Sequence, residues 1–235
     1  MPTLTTAQRR AHYDAFVADI IDLCTVGGVR SALASGRGRP VEECDRMKPY
    51  LVARISGFGA RQAHYTVASL IAAHRHLRDD DEPYTPESAV PASGNTLEAD
   101  SRDEDPPGAG PTDRALDTPG QGDRPAENPV RPYDGRAWRA RPNLGTTLAI
   151  AVARHGFKQG RMDDRIKTLT RLPATRLHPR LWTLTAHLSS LDAARLDFAV
   201  LLEDLAWWDT DRLYIADRWT ESYFLTLDRL VSQEN

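Results

Sequence analysis

Asp192-Ala-Ala-Arg-Leu-Asp-Phe-Ala-Val-Leu-Leu-Glu-Asp-Leu-Ala-Trp-Trp208 runs straight into Asp209-Thr-Asp-Arg-Leu-Tyr-Ile-Ala-Asp-Arg-Trp219, and this stretch decides the fold. Leu196, Ala199, Val200, Glu203 and Trp207 recur at helical spacing, while Leu201, Leu202 and Leu205 widen the apolar stripe beyond that of a surface helix. The first helix is therefore expected to be buried on most of its girth. Asp192 and Asp209 stand where N-caps belong, each ahead of a run without Gly or Pro. Two helices are expected to meet in a tight corner at Trp208-Asp209. Trp207, Trp208 and Trp219 cluster there, and such large apolar surfaces need partner helices to cover them.

Those partners are read outward from the corner. Leu144 to His155 is an alanine-rich helix with Leu148 and Val152 inward, and Arg161 to Leu172 and Leu177 to Leu191 follow, separated by Pro173 and restarting near His178-Pro179. With the two corner helices this makes five. At the other end of the chain, Thr6 caps a helix to Leu23 with Tyr13, Phe16, Val17, Ile20 and Ile21 on one stripe. Gly27-Gly28 breaks it, and Val29 to Ser35 reads as a short helix stopped by Gly36. Gly36-Arg-Gly-Arg-Pro40 is a basic loop. Pro49 opens another buried helix through Tyr50, Leu51, Val52 and Ile55, and Ala60 to Leu77 carries Ala63, Val67, Leu70, Ile71 and His74 inward. Four helices suffice for a small bundle. No alternation of period two is long enough for a strand.

The net charge of −3 over 235 residues hides a division. Residues 79–142 hold 15 acidic side chains against 7 arginines, with 11 of the 16 prolines and little aliphatic content. Such a segment has too little apolar surface to offset its ordering entropy, and is expected to be a disordered acidic insert, except that Trp138 and its neighbours Arg136, Arg139 and Arg141 dock at its far end. The expected fold is thus all-α: a bundle over 1–78 and another over 143–235, joined by a long disordered acidic linker. The first 78 residues are the basic part, and their surplus is almost all arginine, whose planar fork suits phosphate.

Chemistry is weakly signalled. His64, His74 and His76 share a helix, but positions 74 and 76 diverge by about 200° and no cysteine or carboxylate pair joins them, so a metal-dependent hydrolase is disfavoured. Glu42-Glu43, Asp163-Asp164 and Glu203-Asp204 are adjacent carboxylates, which diverge on a helix and read as helix-start charges or solvated faces. Gly57-Phe-Gly-Ala-Arg-Gln62 lacks the strand and lysine of a phosphate loop. Cys24 and Cys44 match neither a metal clip nor a disulfide framework and read as buried thiols. Neither a membrane-spanning run nor a signal peptide is evident, and the expected location is the cytoplasm. No metal or cofactor is called for.

Arginines and lysines remain: Arg30, Arg37, Arg39, Arg54 and Arg61 in the first bundle, and Arg154, Lys158, Arg161, Arg165, Lys167, Arg171 and Arg176 in the second. On charge alone a nucleic-acid track and a set of solvated helix faces fit equally well.

Five pieces in order resemble one family: Val29-Arg-Ser-Ala-Leu-Ala-Ser-Gly-Arg-Gly-Arg-Pro-Val41, Ala63-His-Tyr-Thr-Val-Ala-Ser-Leu-Ile-Ala-Ala73, Asn143-Leu-Gly-Thr-Thr-Leu-Ala149, Leu196 to Trp208, and Arg218-Trp-Thr-Glu-Ser-Tyr-Phe224. The chain resembles the CasB family, the small subunit of the type I-E CRISPR effector complex Cascade. This resemblance implies two helical bundles without catalytic activity, present as two copies beside the backbone and large subunits. It also implies contacts along guide RNA, target strand and displaced strand, for which Arg30, Arg37, Arg39, Arg54, Arg61, Arg161, Arg165 and Arg171 are the candidates. Where the family often has Arg-Arg after the Ala-Leu pair, this chain has Ala34-Ser35, leaving Arg30, Arg37 and Arg39 to supply the charge. The alternative is a helical protein-interaction or regulatory module that binds no nucleic acid.

Overall fold

The computed structural model describes residues 4–74, 137–190 and 196–233, all of them helical or in turns and connections. Most of the acidic segment, His76 and the expected cap Asp192 lie outside the described residues.

Among the described residues eight α-helices follow in order: α1 (Thr6–Leu23), α2 (Gly27–Ala34), α3 (Lys48–Leu51), α4 (Arg61–Ala73), α5 (Leu144–His155), α6 (Gln159–Leu169), α7 (Ala174–Ser190) and α8 (Phe198–Gln233). Local chemistry shifts several boundaries from the expected ones. Thr5, not Thr6, caps α1, in a reciprocal capping box with Gln8. Gly27 and Gly28 open α2 instead of merely breaking α1, since residues 24–26 already make the turn. The helix begun at Pro49 lasts one turn, although Leu51 and Ile55 are both buried. Pro179 sits inside α7 without ending it.

α8 is the centrepiece, and it is two arms. Asp211 leaves helical geometry (φ −132°, ψ 34°), two residues beyond the corner expected at Trp208-Asp209. On a straight helix Asp204 and Trp219 would lie about 22 Å apart. Yet the Trp219 Nε1–H donates to Asp204 Oδ2 at 2.6 Å, and Arg218 also bonds that carboxylate, so the arms fold back sharply. Asp197 caps the first arm, accepting from the amides of Ala199 and Val200. Trp208 and Trp219 are fully buried with ring centroids 4.8 Å apart, and the Trp208 indole donates to the Leu172 carbonyl. Trp207, expected in the core, is 38% exposed under the Arg9 guanidinium, because one residue of helical phase turns it outward.

α5 packs most extensively on α8. The contact is close because residue 145 has no side chain: a Cβ there would stand 1.9 Å from the Trp219 carbonyl oxygen. Around α8 also gather α1 and α4, and α4 packs on α2 and α7, so apolar residues from both sides of the acidic segment share one core within one compact unit.

Candidate nucleic-acid interface

Two basic features flank α7. The first is the loop after α2, where Arg37 (φ 50°) and Gly38 (φ 71°) adopt left-handed backbone. Gly38 lies against the peptide joining His178 to Pro179; a Cβ would approach the His178 carbonyl oxygen to 2.4 Å. This fixes the loop on α7, with the Arg37 guanidinium 5.4 Å over the Trp182 ring. Arg39 donates to the Ser35 carbonyl at 2.7 Å, and the Gln62 amide clamps the loop exit by donating to the Arg39 carbonyl and accepting from Val41 N–H. Both arginines are exposed.

The second feature is a cleft of about 200 Å³ lined by His155, Gly156, Phe157, Lys158, Arg161, Met162, Arg165 and His187. Left-handed Gly156 (φ 69°) ends α5 and turns the chain into α6, where Arg161 and Arg165, four residues apart, share a face. Neither arginine has a hydrogen-bond or ion-pair partner among the described residues, and no carboxylate lines the cleft. Along α7, the rise from His178, under the loop, to His187, in the cleft, is about 13 Å.

The other candidate arginines are dispersed. Arg171 is exposed beyond the end of α6. Arg54 is exposed and bonds its own turn at the Tyr50 carbonyl, and Arg61 is exposed in the first turn of α4. Arg30 is different: half-buried, it donates to the carbonyls of Ala72 and His74, both at 2.8 Å, and so completes the C-terminal end of α4.

The buried charges are structural in their geometry. Glu203 and Asp204, expected on a solvated face, are both buried, and they diverge as neighbours on a helix must. Glu203 accepts from Arg10 at 2.9 Å and from the Trp138 indole at 2.5 Å. Asp204 takes Arg218 and Trp219; burial pushes its carboxyl up to about 6, against the opposing pull of those two donors. Arg141 bridges Asp197, at 2.6 and 2.8 Å, and Asp14 at 2.8 Å, fastening α1, the segment before α5 and the start of α8 together. Trp138 and Arg141 dock as the sequence suggests, whereas Arg139 is exposed and Arg136 lies outside the described residues.

His64 is buried on α4, and its Nδ1–H faces the acceptor-only Ala60 carbonyl at 3.0 Å, so its Nε2 accepts from His12 at 3.1 Å. Phe58 stacks on His12. Burial lowers both imidazoles, His12 to about 4. No cluster of three or more metal-ligating side chains forms among the described residues. Cys24 and Cys44 are buried free thiols, Cys24 pushed up to about 11 by burial. No described helix is long and apolar enough to cross a membrane.

The family model for CRISPR-associated protein Cse2 matches residues 29–224. The chain belongs to the Cse2 family. This is the Cascade small-subunit family, CasB, that the five sequence pieces resemble. No curated protein matches the chain in sequence. Among solved structures, a chain of a "CRISPR RNA-guided surveillance complex" is similar at 21% identity and a TM-score of 0.65, covering 97% of this chain and 99% of that one. A chain of a "CRISPR RNA-guided surveillance complex, pre-nicking" is similar at 23% identity and a TM-score of 0.66, covering 96% and 99%. The fold of this chain is thus matched over nearly its whole length. Within this Cse2-family chain, sequence reading singled out Arg161 and Arg165 but left His187 out of their cleft. It comes from α7, and only its approach to Phe157 in the α5–α6 connection could reveal it.

Proposed function

We propose that this chain is the non-catalytic small subunit of a type I-E RNA-guided surveillance complex. It sits against the backbone and large subunits, beside a second copy of itself, and uses its basic loop and cleft to hold nucleic-acid backbone. Guide pairing reads sequence in such complexes, and the protein supplies a positive, shape-matched path. The observation that carries the reading is the cleft where Lys158, Arg161 and Arg165 converge without a carboxylate. Cations left unpaired by their own protein are free to release counterions when phosphates replace them. Arg37 and Arg39 extend the path over α7, so that guide RNA, target strand or displaced strand is held at several points and the opened duplex is stabilised. No cofactor or metal enters this role, and the cytoplasm is where guide and target meet.

The test is affinity of the assembled complex for target DNA at several salt concentrations. Arg37→Glu with Arg39→Glu, and Arg161→Glu with Arg165→Glu, should each weaken binding for every guide sequence and reduce the logarithmic salt slope by about 0.7 per lost single-strand contact. Arg30→Gln should lower thermal stability and leave the slope alone. Unchanged affinity and slope in both pairs, with assembly intact, would sink the proposal and favour an interaction module.

A further inference from the structure

The second arm of α8 carries an exposed apolar face, bordered by the Arg218 guanidinium 6.0 Å over the Tyr214 ring. Its inner side is ordinary core: Ile215, Ala216, Trp219, Tyr223, Leu227 and Leu230 are buried. Opposite them Leu213 is 74% exposed, Leu225 71%, Tyr214 59% and Phe224 40%. Eleven residues are three helical turns, so Leu213 and Phe224 fall on one line and Tyr214 and Leu225 on the next, about 100° round. Single exposed apolar side chains are common, but four of them in two parallel rails on one arm form a patch of the kind that marks an interaction site.

The groove between the rails is acidic. Asp217, Glu221 and Asp228 fall by helical phase between the two lines, all exposed, and none of the three has an ion-pair partner among the described residues. By the same phase Arg212 and Arg229 lie outside the strip, and Arg218, which borders it over the Tyr214 ring, is already paired with the buried Asp204. Apolar rails around a row of carboxylates suit an amphipathic helix whose apolar stripe is centred on, or flanked by, lysines and arginines. They suit an anionic lipid surface poorly, because the carboxylates would be repelled.

We infer that this face of α8 docks a basic amphipathic helix of another protein. The inference goes beyond the nucleic-acid reading and uses none of its residues. From Leu213 to Leu225 the strip is about 18 Å long, enough for a partner helix of three to four turns.

The probe is a fluorescent 14-residue peptide of leucines and lysines at helical spacing, titrated against the full chain, with a leucine–glutamate peptide as control. Leucine–lysine peptide should bind and the control should not. Leu213→Ser with Leu225→Ser should weaken binding about tenfold or more, in keeping with the apolar area removed. Asp217→Asn with Glu221→Gln should weaken it less and flatten its salt dependence. Thermal unfolding checks that these surface variants fold, and the arginine-dependent DNA affinity of the assembled complex keeps the two proposals separate. Peptide binding unchanged by both variants would overturn the inference, because the peptide would then sit elsewhere on the acidic chain. Self-association of the wild type that Leu225→Ser abolishes would also overturn it, making a second copy the occupant. So would binding to neutral or anionic vesicles that the peptide competes away.

Discussion

Single side chains decide more here than residue type alone suggests. Trp208 and Trp219 are fully buried and each donates its indole N–H, whereas Trp207 is 38% exposed. Trp208→Ala and Trp219→Ala should therefore each cost about 3–5 kcal/mol, and Trp207→Ala no more than about 1 kcal/mol, in urea unfolding. A large cost at position 207 would contradict the assigned phase of α8. The buried imidazoles govern acid stability in the same way. Burial holds His178 down to about 4, so below pH 6.5 the unfolded chain takes up a proton that the folded chain refuses. Its contribution is complete above pH 6.5 and fades as pH falls towards 4. His12 and His64 act in the same direction. Asp204 opposes them: raised from 3.8 to about 6, it is protonated first in the folded state, so its contribution is full below pH 4 and lost as pH rises through 6. Unfolding free energy measured from pH 7 to 4 should fall overall. His178→Gln should flatten that fall, by at most about 3 kcal/mol, and Asp204→Asn should steepen it. A slope untouched by His178→Gln would remove that histidine from the account.

At the scale of elements, the corner of α8 was legible because helical period needs only local sequence, although Asp209, the expected cap, lies inside the first arm. The break moved by just two residues, to Asp211. What could not be read locally was which charges the corner buries. Asp197, Glu203 and Asp204 look like surface acids in a string of letters; their partners Arg141, Arg10 and Arg218 stand 56, 193 and 14 positions away, and only packing introduces them. Arg30 shows the converse, a cation that the family resemblance offers to nucleic acid and whose guanidinium bonds the carbonyls at the end of α4. Arg141→Met should cost about 3–5 kcal/mol, the penalty for leaving Asp197 and part of Asp14 as buried, unpaired carboxylates. Arg141→Met combined with Asp197→Asn should recover part of that loss, and a double variant no better than the single one would deny that the unpaired charge is the cause.

For the whole molecule, helices on both sides of the acidic segment contribute to one core, and composition alone gave no sign of it. α1 and α4 meet α8, and Arg141, just before α5, holds Asp14 of α1. Periodicity shows which face of a helix is apolar, but not whose face will cover it. Likewise the arginines were legible as a population, while their sorting into a loop pinned by Gly38, a cleft closed by His187 and a helix cap at Arg30 required the packing of α7 and, for Arg30, of α2 on α4. One consequence concerns residues 81–128, whose proline, glycine and acid content leaves them little apolar surface to contribute. If the shared core is closed without them, replacing them by a short Gly/Ser linker should leave the thermal midpoint within a few degrees of the full chain, since lengthening or shortening a flexible connection changes closure entropy only by about 0.6 kcal/mol per doubling. Because the segment is strongly acidic, its removal should also strengthen binding of the isolated chain to single-stranded DNA at low salt, an effect that fades as salt screens it. A large drop in the midpoint would mean that the core depends on these residues and that the boundaries drawn at 78/79 and 142/143 are misplaced.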